Sequence, residues 1–151
     1  MYLSIRSLLL ALLLSTAVAA TDSTAPQVEY RSAAEVDAAR AAGDSGTPII
    51  TDPEFKVIAG RRDTPGQAEV HVTDTDIFIV LDGTATIVLG GELIDPREVS
   101  PGEIRGVGIK GGKDYVLAKG VVVTVPRNTP HWVKETKPGF RYFVVKSVAR
   151  G

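Results

Sequence analysis

The sequence contains two histidines, and both stand where they can bind a metal ion. His71 follows Glu69 by two positions, and residues two apart on a β-strand share one face of a sheet. His131 comes later in the chain, directly after Pro130. Two imidazoles and one carboxylate form a ligand set that leaves positions open on a divalent ion. A substrate oxygen or dioxygen binds at such open positions, so these residues indicate metal chemistry.

Two segments around the histidines have a distinctive spacing of glycine and proline. The first spans Glu69 to Gly83, and the second spans Gly120 to His131. They resemble the two motifs of the cupin family, in which a His-x-His pair, a glutamate and a later histidine hold a divalent metal inside a small β-barrel. The positions that match are His71, Gly83, Gly120, Pro126 and His131. The resemblance implies a jelly-roll-type barrel over roughly Phe55 to Val145.

Two carboxylates occupy positions where the family has other ligands. Glu69 stands in place of the first histidine, and Asp76 stands in place of the glutamate. Because aspartate is one methylene shorter, we expect Asp76 to be a fourth ligand or a base beside the metal. Glu69, His71 and His131 form the firmer set. This set contains more oxygen than the family's ligand set, which favours a single divalent ion of Mn or Fe(II), and Zn is also compatible.

Four side chains are candidates for the wall of a substrate pocket: Phe78, Val80, Arg61 and Arg105. The two apolar residues share a strand face with Asp76, and the two arginines can bind a substrate carboxylate. The neighbouring Arg62 has the same capacity, and Glu103 shares a strand face with Arg105. Because charged side chains are mostly exposed, we interpret the charged residues of this group as solvated surface: Arg61, Arg62, Glu103 and Arg105.

The elements that position these residues are predicted to be short strands. From Ile49 onward, Val, Ile, Thr and Phe concentrate in segments of about four to eight residues separated by Gly, Pro and Asp. The predicted strands are Phe55–Arg61, Ala68–Val72, Ile77–Leu81, Thr84–Leu89, Ile104–Ile109, Tyr115–Leu117, Val121–Val125, Trp132–Lys134 and Phe140–Val148. Asp82-Gly83 predicts a tight hairpin. Short strands without helices between them predict an all-β protein, here a cupin-type jelly-roll β-barrel.

The first twenty residues have the pattern of a secretory signal peptide. Arg6 supplies a positive charge, Leu8 to Leu14 an unbroken apolar run, and Ala17 to Ala20 a small-residue cleavage site. The apolar run is far shorter than the roughly 20 residues that a membrane span needs, and an uncleaved anchor is the alternative. We predict a mature protein that begins near Ala20 or Thr21, is secreted or periplasmic, and has no membrane association after leader removal.

A short helix is predicted between the leader and the barrel. Ser32 and Glu35 form the Ser-x-x-Glu pattern of a capping box, and the run Ala33 to Ala42 is rich in alanine. Gly43 supplies a stop. We therefore assign residues 1–20 to a signal peptide, 21–48 to a linker and this short N-terminal helix, and 49–151 to the barrel domain.

Composition limits the partners of this chain. A net charge of −1 provides no global basic field that would attract nucleic acid. The absence of cysteine excludes disulfides, thiolate metal sites and cysteine nucleophiles. The 151 residues, 44% of them hydrophobic, suit a single compact domain. We expect a small-molecule ligand or substrate and no nucleic acid, and the resemblance to cupins implies a homodimer.

The function predicted from these observations is a secreted or periplasmic cupin that binds a divalent metal and a small organic molecule. As an enzyme it would be a metal-dependent isomerase, lyase or dioxygenase. The alternative is a non-catalytic barrel that binds a small molecule or has a structural role without metal. Fold alone does not decide between these classes.

Overall fold

The computed structural model of the protein describes residues 27–43 and 45–148, and the predicted signal peptide lies outside them. The described chain forms one helix, α1 (Ala33–Ala41), followed by thirteen strands. The strands are β1 (Thr47–Thr51), β2 (Phe55–Arg62), β3 (Ala68–His71), β4 (Asp74–Asp82), β5 (Thr84–Leu89), β6 (Glu92–Ile94), β7 (Arg97–Ser100), β8 (Glu103–Gly106), β9 (Gly108–Lys110), β10 (Lys113–Ala118), β11 (Val122–Val125), β12 (His131–Thr136) and β13 (Phe140–Val148).

Most of these strands belong to two antiparallel sheets that share one core. The first sheet has the order β1-β2-β13-β4-β11, and the second has the order β10-β5-β12-β3-β8-β7. The strands β6 and β9 pair separately. Buried residues alternate along β4, as expected for a strand with one face toward a core. The core side chains come from both sheets and include Phe78, Val80, Ile87, Leu117, Val133, Phe140 and Tyr142.

Helix α1 has the predicted capping box. The Ser32 hydroxyl accepts a hydrogen bond from the Glu35 backbone N–H at 3.3 Å, and the Glu35 carboxylate accepts one from the Ser32 N–H at 2.7 Å. No residue of α1 is buried. The helix therefore lies on the outside of the first sheet, where Arg40 stacks 4.7 Å from the centre of the Phe143 ring. Within the described chain, no helix is long and apolar enough to cross a membrane.

The single strand predicted over Ile104–Ile109 is wrong, because the chain changes sheets at this point. Strand β8 ends at Gly106 in the six-stranded sheet, and β9 starts at Gly108 and pairs with β6. Val107, between them, is 72% exposed. A Cβ at Gly106 would lie 2.8 Å from the Ile94 carbonyl oxygen, so glycine permits this close crossing. The apolar run conceals the break, since valine and isoleucine favour strands on both sides of it.

The sequence patterns do not predict the short strands β1, β6 and β7. Pro48 lies within β1, and proline is confined to edge strands because it lacks a donor for the ladder. All four residues of β7 are exposed, so this edge strand has no apolar and polar alternation to reveal it. The tight hairpin predicted at Asp82-Gly83 is wrong. Gly83 adopts a φ of 77° in a turn between β4 and β5, but these two strands lie in different sheets and do not pair with each other.

Candidate metal centre

Three strands bring the metal-ligand candidates together. Glu69 and His71 lie on β3, where their spacing places them on one face. His131 is the first residue of β12 and pairs directly with Glu69 across the antiparallel ladder. Asp76 lies on β4, in the other sheet. The side chains of His71, Asp76 and His131 are buried, so the cluster lies in the interior between the two sheets.

The donor atoms of Glu69, His71 and His131 lie within 4.8 Å of one another. Glu69 Oε1 is 3.3 Å from His131 Nε2 and 3.9 Å from His71 Nε2. Metal–ligand bonds of about 2.0–2.2 Å place two donors on one ion at most about 4.4 Å apart. Both distances from Glu69 Oε1 fall within that limit, and the 4.8 Å bound on the separation of the two imidazole donors is close to it. The three side chains are therefore spaced as ligands of a single ion.

Each imidazole is held through its other ring nitrogen. His71 Nδ1 lies 2.5 Å from Glu103 Oε2, and His131 Nδ1 lies 3.0 Å from the Thr129 carbonyl oxygen. A carboxylate and a carbonyl oxygen only accept hydrogen bonds, so each Nδ1 carries a proton and donates it. Each Nε2 then has its lone pair free. Hydrogen bonds of this kind orient histidines that bind metals.

The two Nε2 atoms are buried and have no hydrogen-bond partner among the described residues. A buried acceptor that is left unsatisfied costs about 1–3 kcal/mol. A cation placed among both Nε2 atoms and Glu69 Oε1 would satisfy all three groups at once. The nitrogen and oxygen donors also belong to the types that Mn, Fe(II) and Zn accept. The residues present thus fit a divalent metal.

The second oxygen of Glu69 faces away from the imidazoles. Glu69 Oε2 forms an ion pair with Arg105, which also pairs with Glu103. Glu69 and Arg105 are directly opposite each other on β3 and β8, as are His71 and Glu103. Arg105 therefore connects the candidate ligand Glu69 to the carboxylate that holds His71. This leaves Glu69 Oε1 as the oxygen that is available to an ion.

Asp76 stands beside the three-donor cluster and pairs with a lysine. Lys146 Nζ on β13 donates to both carboxylate oxygens of Asp76, at 2.8 and 2.9 Å. Asp76 Oδ2 also lies 3.4 Å from His71 Nε2 and 3.8 Å from His131 Nε2. Both oxygens of Asp76 therefore already accept a hydrogen bond from a cation, whereas Glu69 pairs with Arg105 through Oε2 alone. The structure thus favours Glu69 as the carboxylate ligand.

The site holds its carboxylates ionised. Burial raises the pKa of the Glu69 carboxyl, but contact with His131 and the charges of His131, Arg105 and His71 outweigh burial and lower the pKa to about 2. The pKa of Asp76 is also lowered, because His71 and Lys146 together outweigh its burial. Glu69 and Asp76 can therefore each offer an anionic oxygen to a cation in the cluster.

The pKa of His71 moves in the opposite direction. Burial lowers the pKa of His71, and so does the positive charge of Lys146. Contact with Asp76 and the negative charges of Asp76 and Glu69 outweigh both effects and raise the pKa above the usual 6.5. His71 therefore binds a proton more readily than a histidine in water does. A metal ion and a proton compete for the same nitrogen.

A cavity of about 300 Å³ adjoins the cluster. Phe78 and Arg105, two of the four candidate pocket residues, line this cavity. Val80 packs in the core instead, at 2% exposure. Arg61 forms an ion pair with Asp63 at 2.8 Å and lines a separate surface depression. Of the four candidates, the structure brings Phe78 and Arg105 to the site.

Solvated surface is the wrong interpretation for Glu103 and Arg105, whose side chains are 22% and 29% exposed and contact the candidate ligands. Their alternation on one strand, with opposite charges, is a signal that could have identified them. The sequence patterns do not single out Lys146. Its signal is a cation that directly follows the apolar run from Tyr142 to Val145 in β13, but its partner Asp76 lies 70 positions away in sequence.

No protein-family model matches the chain, and no curated protein matches it in sequence. Solved structures do match its fold. KdgF from a Halomonas species superposes with a TM-score of 0.50 at 15% identity, over 70% of this chain and 80% of KdgF. Hydroquinone 1,2-dioxygenase from Sphingomonas sp. TTNP3, solved with 4-hydroxybenzoate bound, gives a TM-score of 0.54 at 14% identity, over 77% of this chain and 73% of the enzyme.

A third structure, BH2720 from Bacillus halodurans, has a TM-score of 0.54 at 11% identity and covers 86% of both chains. Identities this low establish the fold alone. The likeness covers 70% to 86% of this chain and confirms the fold class that the two motifs predict.

Proposed function

We propose that this chain, a protein with the cupin fold, binds one divalent metal ion through Glu69, His71 and His131. The observation that carries the proposal is the pair of buried Nε2 atoms without a partner in the described chain. Both face a charged oxygen, Glu69 Oε1. The carboxylate in the set favours Mn or Fe(II), and Zn is compatible with the same donors.

A small organic molecule is the proposed ligand of the metal-loaded protein. Three protein donors leave open positions on the ion, and a cavity of about 300 Å³ adjoins them. This volume is at the lower end of the range of about 300–1,000 Å³ found for small-molecule pockets. The dioxygenase of the same fold holds 4-hydroxybenzoate, which supports a ligand of this size.

The side chains around the cluster suit a metal-dependent isomerase, lyase or dioxygenase. When bound, the ion supplies Lewis-acid polarisation of a substrate oxygen or a position for dioxygen. Asp76 is ionised beside the cluster and can accept a proton from a bound molecule, while Lys146 stabilises its charge. Glu103 and the Thr129 carbonyl keep the two imidazoles oriented. The competing function is a metal-free barrel that binds a small molecule without catalysis.

Metal analysis of histidine variants tests this function. Removing one of three donors leaves too few for firm binding, so His71→Ala and His131→Ala should each lose most bound metal while the barrel stays folded. Protein purified without chelator or affinity tag is assayed for Mn, Fe and Zn by elemental analysis, with circular dichroism as the check on folding. Glu135→Ala removes an exposed carboxylate from the same strand as His131 and serves as the control.

Wild-type metal stoichiometry in both histidine variants would show that the proposed site is wrong. A wild-type protein that binds none of the three metals would favour the metal-free barrel.

A further inference from the structure

We infer that Arg62 binds an anionic group, a carboxylate, of the molecule that occupies the cavity beside the metal cluster. This inference rests on the proposed function, because it deepens the identity of the ligand at the same site. Arg62 is the last residue of β2 and lies next to Arg61, one of the two arginines predicted from the sequence as pocket candidates.

Adjacent positions on a strand point to opposite faces of a sheet. Arg61 is on the outer face, where it pairs with Asp63 and lines a depression together with Asp82 and Arg141. Arg62 is on the inner side and lines the cavity that contains Glu69. The two arginines thus have the same chemistry and neighbouring positions but different surroundings.

Arg62 is the cation of this cavity that has no ion-pair partner within the described chain. Arg105 pairs with Glu69 and Glu103, and Lys146 pairs with Asp76. Arg62 pairs with no described carboxylate, and its Nε is buried without a hydrogen-bond partner in the described residues. A buried donor that lacks a partner is costly unless a ligand supplies the acceptor.

The position of the Arg62 guanidinium is restricted by the turn that follows β2. A Cβ added at Gly66 would lie 3.1 Å from Arg62 Cζ and 3.2 Å from both terminal nitrogens. The guanidinium therefore rests against the backbone at Gly66, where a larger residue would crowd it. A donor group held in this way loses little side-chain freedom when it binds an anion.

The charges of the cavity also require an anion once a metal is bound. Three cationic and three anionic side chains line it: Arg62, Arg105, Lys146, Glu69, Asp76 and Glu103. Their charges cancel, so a divalent ion with neutral imidazoles leaves an excess of two positive charges in a partly buried space. A carboxylate on the ligand reduces that excess, and it does so most effectively beside the unpaired guanidinium.

A second cavity shares a wall with the first and provides a route by which the ligand can enter. The two cavities share Ser45, Arg62, Gln67 and Arg105 in their walls. Arg62 thus stands where the inner and outer spaces meet. A single guanidinium matches the two oxygens of a carboxylate in a bidentate pair. These positions assign Arg62 to the capture of a carboxylate that enters from solvent.

The test is a calorimetric titration of the Mn(II)-loaded protein with malonate, succinate and glutarate, and with their uncharged diamides. The carboxylates should bind and the diamides should not. Arg62→Met should weaken the best of the three carboxylates at least about tenfold, and Arg62→Lys should retain part of the affinity, because lysine keeps the charge but loses the planar fork. Arg61→Met is the matched control and should bind as the wild type does. Metal stoichiometry should stay unchanged in all three variants.

Equal carboxylate affinity in Arg62→Met and wild type, or no binding of any of the three carboxylates, would overturn the inference. Methyl phosphate that binds more tightly than every carboxylate would overturn the carboxylate assignment. Failure of the wild type to bind metal counts against the proposed function instead. In that case the same dicarboxylates are titrated into the metal-free protein. Carboxylate binding by the wild type that is lost in Arg62→Met supports the inference. Equal carboxylate affinity in the two proteins, or no carboxylate binding by the wild type, overturns it.

Discussion

At the scale of single residues, the two oxygens of Glu69 have different partners. Oε1 faces the Nε2 atoms of His71 and His131, and Oε2 pairs with Arg105. Asp76 differs, since both of its oxygens accept hydrogen bonds from Lys146. Both carboxylates are ionised and lie close to the imidazoles. Their partners, and not their charges, decide which one is available to an ion.

This difference predicts unequal effects of neutralising the two carboxylates. Glu69→Gln should weaken Mn(II) binding at least about tenfold more than Asp76→Asn, because only Glu69 has an oxygen free of a cationic partner, and groups outside the ligand set affect affinity less. Titration of both metal-free variants with Mn(II) and Zn(II) measures the order. Abolished binding in Asp76→Asn together with wild-type binding in Glu69→Gln would make Asp76 the carboxylate ligand.

The raised pKa of His71 predicts the pH dependence of metal binding. A protonated imidazole cannot bind the ion, so apparent affinity is constant above the pKa of His71 in the metal-free protein and falls as pH drops below it. Because that pKa lies above 6.5, the loss should already begin above pH 6.5. Mn(II) titrations between about pH 5.5 and 8.5 span the usual histidine range. Affinity that stays constant down to pH 5.5 would contradict histidine ligation at this position.

The candidate site could be predicted from the sequence only where local spacing determines the geometry. Glu69 and His71 share a face because they are two residues apart on one strand. Glu103 and Arg105 reach the site only through the pairing of β8 with β3, and Lys146 only through the pairing of β13 with β4. No local pattern encodes these long-range registers, so the sequence alone indicates surface charges at Glu103 and Arg105 and does not identify Lys146.

At the scale of elements, the pairing of β2 with β13 supports one wall of the cavity. Tyr142 on β13 is opposite Gly60 on β2, and its ring lies over the glycine. Tyr142 is 2% exposed and contacts the rings of Phe78 and Phe140, with centroid separations of 5.8 and 5.0 Å. Because Gly60 has no side chain, the Tyr142 ring can pack directly against the β2 backbone.

Gly60→Ala should therefore destabilise the protein by about 1–3 kcal/mol, as overpacking of a core does. The added Cβ would lie 2.4 Å from Tyr142 Cζ and 2.5 and 2.9 Å from two further ring carbons, closer than van der Waals contact, so the ring or the backbone would have to shift. Urea unfolding followed by circular dichroism measures the effect. Gly43→Ala is the control, because a Cβ there meets no atom within 4 Å. Equal stability of the two variants would show that the ring repacks freely.

Strand prediction succeeded where buried and exposed residues alternate along a strand, and it failed at the edges of the sheets. Strands β4, β5 and β13 combine β-branched residues with clear boundaries, and all three were predicted. Strand β7 is exposed at every position, and the boundary between β8 and β9 falls inside an apolar run. Neither property leaves a periodic signal, because periodicity arises only when one face of a strand is buried.

At the scale of the whole molecule, we propose that the chain is exported and that its leader is removed. The leader pattern lies in residues 1–20, outside the described structure. Expression of the full chain should give a periplasmic or secreted protein whose N-terminus, read by mass spectrometry, is near Ala20 or Thr21. Alanine-to-arginine changes at Ala17 and Ala19 should block this cleavage. A full-length chain in the cytoplasmic fraction would contradict export.

The homodimer implied by the cupin resemblance stays a prediction. Light scattering of the purified protein, with and without Mn(II), measures the oligomeric state directly. The metal site does not depend on its outcome, since the donor atoms of Glu69, His71 and His131 all come from one chain.

The hydrogen bond between Trp132 and the turn after β2 gives the protein an optical reporter of its own. Trp132 is the one tryptophan in the sequence, and it follows His131 on β12. Its indole N–H donates to the Gly66 carbonyl oxygen at 2.8 Å, at the turn on which the Arg62 guanidinium rests. All tryptophan emission from a pure sample thus comes from one chromophore, which lies next to His131 on β12 and is hydrogen-bonded to the turn that contacts the Arg62 guanidinium. Binding at the metal cluster or at Arg62 is expected to change this emission, which fluorescence measures without a label in the unmodified chain.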